Sequence, residues 1–341
     1  MSEHINHAAP SKRAAKPYKS EKKTRKRQRT LKERITRWVC GILIAVVALT
    51  IVGLAVVTPI SMRLLGLTRH VDFKNTLTPD AANLTAEEIQ LTTDDGYHIQ
   101  AWFAPSRAPT TKAAVIFLSG IQGPSVTYYF PHAAWLAGEG YASLPLEMRA
   151  HGGSDGERIG LGITEVEDVR AAVRYLRQQL PGVPIVVFGV SMGGAAAINS
   201  FGEIPEISAL ISLSAYTSWP DEFSQMMNGY YGVPKFLAVA AKPFVWLYTG
   251  FTFGFDKLDV NPLEEIQKAN GRPMLLMHSL EDSTVSYENY ETLSEAVPEA
   301  ESFLRGGDSH LILDWNLIMT PWEDTAYAEA ILSFLDVNFG Q

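Results

Sequence analysis

The stretch of this sequence that most clearly suggests chemistry centres on a serine. Residues 184–190 form an apolar, largely β-branched run that ends in a Gly-x-Ser-x-Gly pattern around Ser191. Glycines two residues before and after a serine let a strand and the following helix pass closely, and the sharp turn between them exposes the hydroxyl above the sheet. Small, helix-compatible residues follow at 195–201. This context predicts a nucleophile elbow at Ser191 and disfavours the alternative of a purely structural glycine-rich turn.

A serine hydroxyl becomes an effective nucleophile when a base accepts its proton and a third group orients that base. In an open parallel sheet, such groups gather at the carboxyl ends of the strands. Two of the eight histidines, His151 and His310, follow predicted strands in this way, and Glu281 and Asp282 directly follow another. Asp282 and His310 complete the chain order serine, acid, histidine, whereas His151 would break it.

The elements around these residues alternate between strand and helix patterns. Alternating runs at 87–93 and 97–105 on either side of an Asp-Gly pair predict a hairpin. Amphipathic or apolar helical patterns cover 166–180 and 324–335. Further strands are predicted at 113–118, 141–146, 184–190, 208–215, 272–279 and 300–306. The alternation predicts an α/β fold whose mostly parallel central sheet carries helices on both faces.

Residues 217–262 interrupt this alternation and contain eleven aromatic residues. An aromatic insertion placed after the strand that follows the elbow predicts a helical lid over the site. The alternative is a helical cap that buries its aromatic residues in a small core of its own.

The N-terminal part of the chain has a different character. Residues 38–60 contain no charged residue, and about 20 apolar residues suffice to span a bilayer. A secretory signal peptide has a shorter apolar region and a small-x-small cleavage site, which Ala55-Val56-Val57 matches poorly. The run therefore predicts one uncleaved transmembrane helix.

Charge predicts the orientation of this helix. Residues 1–37 contain 13 Lys and Arg against three Glu, while the rest of the chain contains 16 Lys and Arg against 34 Asp and Glu. A basic flank stays in the cytoplasm, so residues 1–37 are predicted to be a cytoplasmic tail that contacts anionic lipid and not nucleic acid. Residues 61–86 are predicted to be a stalk, and 87–341 an extracytoplasmic catalytic domain. Cys40 is the only cysteine, which excludes an intrachain disulfide.

Four motifs together resemble the α/β-hydrolase family, especially its serine-aminopeptidase-like, membrane-anchored bacterial members. They are DDGYHIQAWFAP at 94–105, RAHGGSDG at 149–156, GVSMGG at 189–194 and HSLEDSTV at 278–285. The resemblance covers roughly residues 87–338. It implies Ser191 as nucleophile, Asp282 as acid and His310 as base, and it makes the His151 loop structural.

The chain departs from that family after the third strand, where Ser119-Gly120-Ile121-Gln122-Gly123 replaces the usual His-Gly. Backbone N–H groups tolerate such a change, so the resemblance still implies an oxyanion hole formed by the N–H groups of Met192 and Ile121. No metal-ligand spacing and no nucleotide-binding loop stand out in the sequence, so neither a metal nor another cofactor is expected.

These observations predict a membrane-anchored serine hydrolase that cleaves an ester, thioester or amide through an acyl-enzyme intermediate, with carboxylesterase-type activity favoured. Three alternatives remain open. The first is a non-catalytic surface binding protein with the same fold, the second is a serine peptidase, and the third is another chemistry at the elbow, such as cofactor-free haloperoxidation. The partners expected are an acyl or other small-molecule substrate and the membrane lipid around residues 38–60.

Overall fold

A computed structural model of the protein describes residues 30–340. One sheet of eight strands forms its centre. The strands are β1 (Glu87–Thr92), β2 (His98–Phe103), β3 (Ala114–Leu118), β4 (Ala142–Leu146), β5 (Ile185–Val190), β6 (Ala209–Leu213), β7 (Met274–Ser279) and β8 (Glu301–Arg305). Their order in the sheet is β1-β2-β4-β3-β5-β6-β7-β8. The β1–β2 hairpin and the β2–β4 pair are antiparallel, and all other pairs are parallel.

The helices, apart from short 3₁₀ turns, are α1 (Leu31–Leu64), α2 (Phe130–Gly138), α3 (Val166–Gln179), α4 (Met192–Glu203), α5 (Trp219–Gly229), α6 (Lys235–Phe253), α7 (Pro262–Glu265), α8 (Tyr287–Ala296) and α9 (Thr325–Phe339). Because successive strand residues point to opposite faces, the sheet has two hydrophobic cores. Alternate residues of β5 join α3, α4 and α8 in one core, and the intervening residues join α2 and α9 in the other. The predicted two-faced, mostly parallel sheet is confirmed.

Helix α1 is longer than the predicted span 38–60, because it begins at Leu31 and continues to Leu64. Residues 31–50 of this helix are exposed throughout. Its length and apolar composition are sufficient for a membrane span. The basic residues predicted to form the start of the tail lie outside the described part of the chain.

The structure corrects the prediction that residues 61–86 form a stalk. Met62 and Leu67 are buried in the core, and Val71 pairs with His151 in a parallel bridge. The sequence pattern failed here because isolated apolar residues in a turn-rich stretch carry no periodic signal, so only the tertiary contacts reveal that they are buried. The segment is therefore part of the folded domain.

Candidate active site

Ser191 lies between β5 and α4 in a backbone conformation that L-residues rarely adopt, with φ 56° and ψ −123°. Its N–H donates a hydrogen bond to the Leu213 carbonyl at 2.8 Å, which fixes the turn against β6. A Cβ atom at Gly189 would clash with the Gly193 carbonyl, and one at Gly193 would clash with the carbonyls of Leu118 and Ser119. Glycine is therefore required at both positions, and the turn has the strained geometry of a nucleophile elbow.

The loop after β3 runs beside the elbow. A Cβ atom at Gly120 would lie 3.4 Å from the Ser191 Cβ, so the Gly120–Ile121 peptide borders the serine. Met192 is the first residue of α4, where backbone N–H groups have no partner within the helix. Within residues 30–340, neither the Met192 nor the Ile121 N–H donates to another protein group. Both N–H groups thus belong to segments that adjoin Ser191, and their role as oxyanion donors stays a prediction.

The loop after β3 is held from outside by the segment that follows α1. The Gln122 side chain donates a hydrogen bond from Nε2 to the Leu65 carbonyl at 2.9 Å, and the Phe73 ring lies against Gly123. The sequence did not reveal this support, because nothing in the pattern of residues 61–86 indicates a contact with a loop 57 residues away.

The predicted acid and base are in contact. His310 Nδ1 lies 2.8 Å from Asp282 Oδ2, and the other carboxylate oxygen accepts hydrogen bonds from the N–H groups of Thr284 at 2.9 Å and Val285 at 3.0 Å. Burial alone would raise the pKa of Asp282, but the hydrogen bond and charge of His310 and the two N–H groups outweigh it and lower that pKa. Asp282 is therefore a carboxylate, so His310 donates from Nδ1 and, when neutral, keeps Nε2 as an acceptor.

Two further contacts join the acid loop to the base loop. Ser279, at the end of β7, donates from Oγ to the Ser309 carbonyl at 2.7 Å. The Asp308 carboxylate accepts hydrogen bonds from the Ser283 N–H at 2.7 Å and from the Ser283 hydroxyl at 2.8 Å. These residues hold Asp282 and His310 at a fixed separation. The sequence analysis missed their role, although Ser279, Ser283 and Asp308 each lie within three residues of the predicted acid or base.

The serine and the histidine are less directly connected. Within residues 30–340, no hydrogen bond joins the Ser191 hydroxyl to His310. Their neighbours nevertheless line one small cavity of about 20 Å³, with Gly120 and Val190 on the elbow side and Leu311 and Leu313 on the His310 side. The loop that carries His310 therefore faces the elbow across this cavity. In apo structures such catalytic hydrogen bonds are often long.

His151, the rival base, is completely buried. Its Nδ1 lies 2.9 Å from the Arg149 carbonyl, and its ring stacks on Phe73 with 6.1 Å between the ring centres. Burial lowers the pKa of His151 to about 4, so the imidazole is neutral at physiological pH. These contacts make His151 a packing residue between the domain and the segment after α1.

Glu222 is a buried acidic residue that the sequence analysis missed. This residue of α5 is 6% exposed, and within the described chain its Oε2 has no hydrogen-bond partner. Burial, together with the negative charge of Asp282, raises the pKa of Glu222 to about 8. Glu222 is therefore a neutral acid at neutral pH, close enough to the ionised Asp282 for that charge to affect its pKa. An isolated glutamate in a helix gives no sequence pattern that would predict this environment.

We expect Glu222→Gln to stabilise the protein increasingly as the pH rises. Below the ordinary pKa near 4.5, folded and unfolded chains both hold the proton, so the substitution has little effect. Between that pH and about 8, only the folded protein keeps the proton. Keeping it lowers the free energy of unfolding by on the order of a few kcal/mol, a loss that glutamine avoids. Urea unfolding at a series of pH values measures the difference. The exposed Glu295→Gln is the matched control, and a Glu222→Gln effect independent of pH would contradict the burial argument.

The part of the chain that the structure describes contains no group of three His, Cys, Asp or Glu side chains arranged to hold a metal. The expectation that the protein works without a metal or another cofactor remains a prediction.

Known proteins resemble this chain in sequence and in structure. The model of the family described as "Serine aminopeptidase, S33" matches residues 109–253. The Escherichia coli O157:H7 protein YfhR, described as uncharacterized, is 29% identical over 152 residues, covering 42% of this chain and 52% of that protein. The mouse phospholipase ABHD3 is 28% identical over 140 residues, covering 38% and 33% of the two chains. These matches span about half of the first relative and a third of the second.

The structure of the esterase Pf2001 from Pyrococcus furiosus superimposes with a TM-score of 0.60 at 21% identity. The superposition covers 80% of this chain and 99% of the esterase. At this identity the likeness concerns the fold alone. The chain has the α/β-hydrolase fold, as its four motifs predicted, and part of its sequence is similar to α/β hydrolases.

Proposed function

We propose that this α/β hydrolase is a membrane-anchored serine hydrolase that cleaves an ester, thioester or amide through an acyl-enzyme, with carboxylic esters as its main substrates. The observation that carries the proposal is the Asp282–His310 hydrogen bond of 2.8 Å, in a loop that faces the strained elbow of Ser191. An oriented imidazole opposite an elbow serine is the arrangement that activates a hydroxyl nucleophile.

In the first half of the proposed reaction, the Ser191 hydroxyl attacks the acyl carbon while His310 Nε2 accepts its proton. Asp282 holds the Nδ1–H and stabilises the imidazolium that forms. The backbone N–H groups of Met192 and Ile121 donate to the developing oxyanion, each lowering the barrier by about 3 kcal/mol. The tetrahedral intermediate then collapses, and His310 returns the proton to the leaving alcohol, thiol or amine.

In the second half, water attacks the acyl group on Ser191 and gives its proton to His310. The carboxylic acid leaves, and the proton returns to the serine oxygen. Every proton in this cycle passes through His310 Nε2, so the reaction needs no group beyond the residues named and water.

Esters are favoured over peptides by the surroundings of the elbow. The cavity beside Ser191 is lined largely by apolar and aromatic side chains from the loop after β3, α2 and the His310 loop. At about 20 Å³ this cavity holds only about one water molecule and cannot accept an acyl chain, so it supports esters only by marking the apolar surroundings of the elbow. The serine aminopeptidase family matched by residues 109–253 supports a serine peptidase as the second candidate.

A fluorophosphonate probe tests the proposal. The wild-type protein should form a covalent adduct, and mass spectrometry should place it on the peptide that contains Ser191. Esters and aminoacyl amides with the same acyl part then separate the two candidate activities. If the folded protein is not labelled, the non-catalytic binding protein becomes the better interpretation, and an adduct on another residue would refute the assigned nucleophile.

The proposed anchor is α1. Basic residues are concentrated before its apolar stretch and are few after it. Thirteen basic residues precede residue 38, whereas only Arg63, Arg69 and Lys74 follow closely after residue 60. Moving the larger group across the bilayer is far less favourable than keeping it inside. The tail is therefore proposed to be cytoplasmic and the hydrolase domain extracytoplasmic.

We expect protease treatment of intact cells or spheroplasts to degrade a C-terminal tag and to spare an N-terminal one. The full-length protein should stay with the membrane fraction in high salt and be released by detergent. Protease treatment after lysis, which should degrade both tags, is the control. A protected C-terminal tag, or a released domain that lacks residues 1–60, would contradict the proposed orientation and anchor.

A further inference from the structure

Helix α6 presents an apolar face to solvent. Phe236, Val239, Leu247 and Phe251 recur on one side of it at helical spacing and are exposed, with Phe236 at 73% and Phe251 at 79%. A helix on the surface of a soluble domain normally carries polar residues on that side. The only charged residues of α6 are Lys235 and Lys242.

The opposite side of α6 belongs to the domain. Ala238, Ala241, Val245 and Thr249 are at most 5% exposed, and the helix packs against α5. A helix with one face fixed in a protein core cannot span a bilayer alone, although α6 is long and apolar enough to do so. Its outer face can instead lie in a membrane surface, as amphipathic interfacial helices do.

The apolar surface extends beyond the helix. Tyr230 and Tyr231, in the turn before α6, and Phe255, just after it, are about half exposed or more, as is Trp246 on the flank of α6 nearer the lysines. Tyrosine and tryptophan are the residues that accumulate at the boundary between lipid and water. We call these four residues, with Phe236, Val239, Leu247 and Phe251, the outer face of α6.

The position of α6 relative to the end of α1 indicates what covers this face. Thr58, near the C-terminal end of the predicted span 38–60, is only 3% exposed. The folded domain therefore reaches the C-terminal end of that span. The Thr68 hydroxyl lies 3.3 Å from the Tyr248 hydroxyl of α6. Thr68 is four residues beyond the end of α1, a distance of at most about 14 Å along the chain. Helix α6 is thus within reach of the lipid headgroups that surround α1.

We propose that the outer face of α6 docks on the lipid bilayer that holds α1, with its aromatic side chains in the headgroup layer. The proposal rests on the membrane anchor proposed above, and it is independent of whether the protein hydrolyses a substrate. Docking fixes the domain by two contacts, the span of α1 and this surface. It also places α6, which packs on α5, against the membrane.

Fluorescence quenching by labelled lipids tests the docking on the full-length protein. Cys40 is the only cysteine, so Cys40→Ser provides a background for single cysteines at Phe236→Cys and Phe251→Cys. Each is coupled to an environment-sensitive fluorophore and reconstituted in phosphatidylcholine–phosphatidylglycerol vesicles that carry a nitroxide near the headgroup or near the chain end. Val337→Cys is the control, because it is equally exposed but lies on α9, which packs on the other face of the sheet.

Docking predicts that both α6 labels lose at least about half of their fluorescence with the headgroup-proximal nitroxide and less with the deep one, since interfacial helices sit about 5–10 Å into the boundary. The Val337→Cys label should be unaffected. Vesicle flotation reports the anchor separately. If the protein floats with the vesicles but the α6 labels are not quenched, the docking is wrong while the anchor stands. If the fluorophores of two labelled copies quench each other but the nitroxide lipids do not quench them, this face contacts a second copy, which would overturn the proposal.

Discussion

Replacing Ser191 with alanine is expected to abolish fluorophosphonate labelling and to lower ester turnover by several orders of magnitude, up to about 10⁶-fold. The elbow places this hydroxyl at the strand-to-helix turn, beside the Gly120–Ile121 peptide and opposite the His310 loop. Without the hydroxyl, no acyl-enzyme can form. The proposed oxyanion donors remain and leave only residual acceleration over water.

Turnover of an activated ester and labelling with the probe measure the loss. Ser200→Ala is the matched control, because Ser200 is a fully buried serine of α4, the helix that follows the elbow. It should retain labelling. Labelling that persists in Ser191→Ala, in protein that unfolds at the wild-type temperature, would show that another residue is the nucleophile.

Asp282→Asn is expected to lower turnover by up to about 10⁴-fold while leaving the fold intact. The amide has nearly the same shape as the carboxylate, but it no longer stabilises the Nδ1–H tautomer or the imidazolium of His310. The wrong tautomer then presents an N–H to Ser191 in place of an acceptor. His310→Ala should cause a loss of similar or larger size, because it removes the proposed base itself.

His151→Ala is the control that separates the two candidate histidines. His151 is fully buried and hydrogen-bonded to the Arg149 carbonyl, so its removal should cost roughly 1–3 kcal/mol of stability. Turnover of the folded fraction should stay near that of the wild type. Rates per folded protein, with the folded fraction measured by denaturant unfolding, make the comparison. A larger loss of turnover in His151→Ala than in His310→Ala would reverse the assignment of the base.

Local patterns in the sequence determined the fold. The strand patterns coincide closely with the observed strands, because the fully buried strands of a parallel sheet must be apolar on both faces. The elbow could also be predicted, because the close approach of strand, helix and the loop after β3 excludes a Cβ atom at Gly189 and Gly193. The pairing of Asp282 with His310 followed from their chain order and from the strand ends that carry them.

Contacts between residues distant in sequence could be found only in the tertiary structure. Glu222 lies 60 residues before Asp282 in the chain, and the protonation of each depends on the burial that their packing creates. The segment after α1 was predicted to be a stalk, yet the folded domain buries Met62 and Leu67. The aromatic insertion was recognised in the sequence, but its composition is equally compatible with a core or a surface. Packing decided which aromatic residues face inward, because burial depends on what lies across the fold and not on a residue's neighbours in the chain.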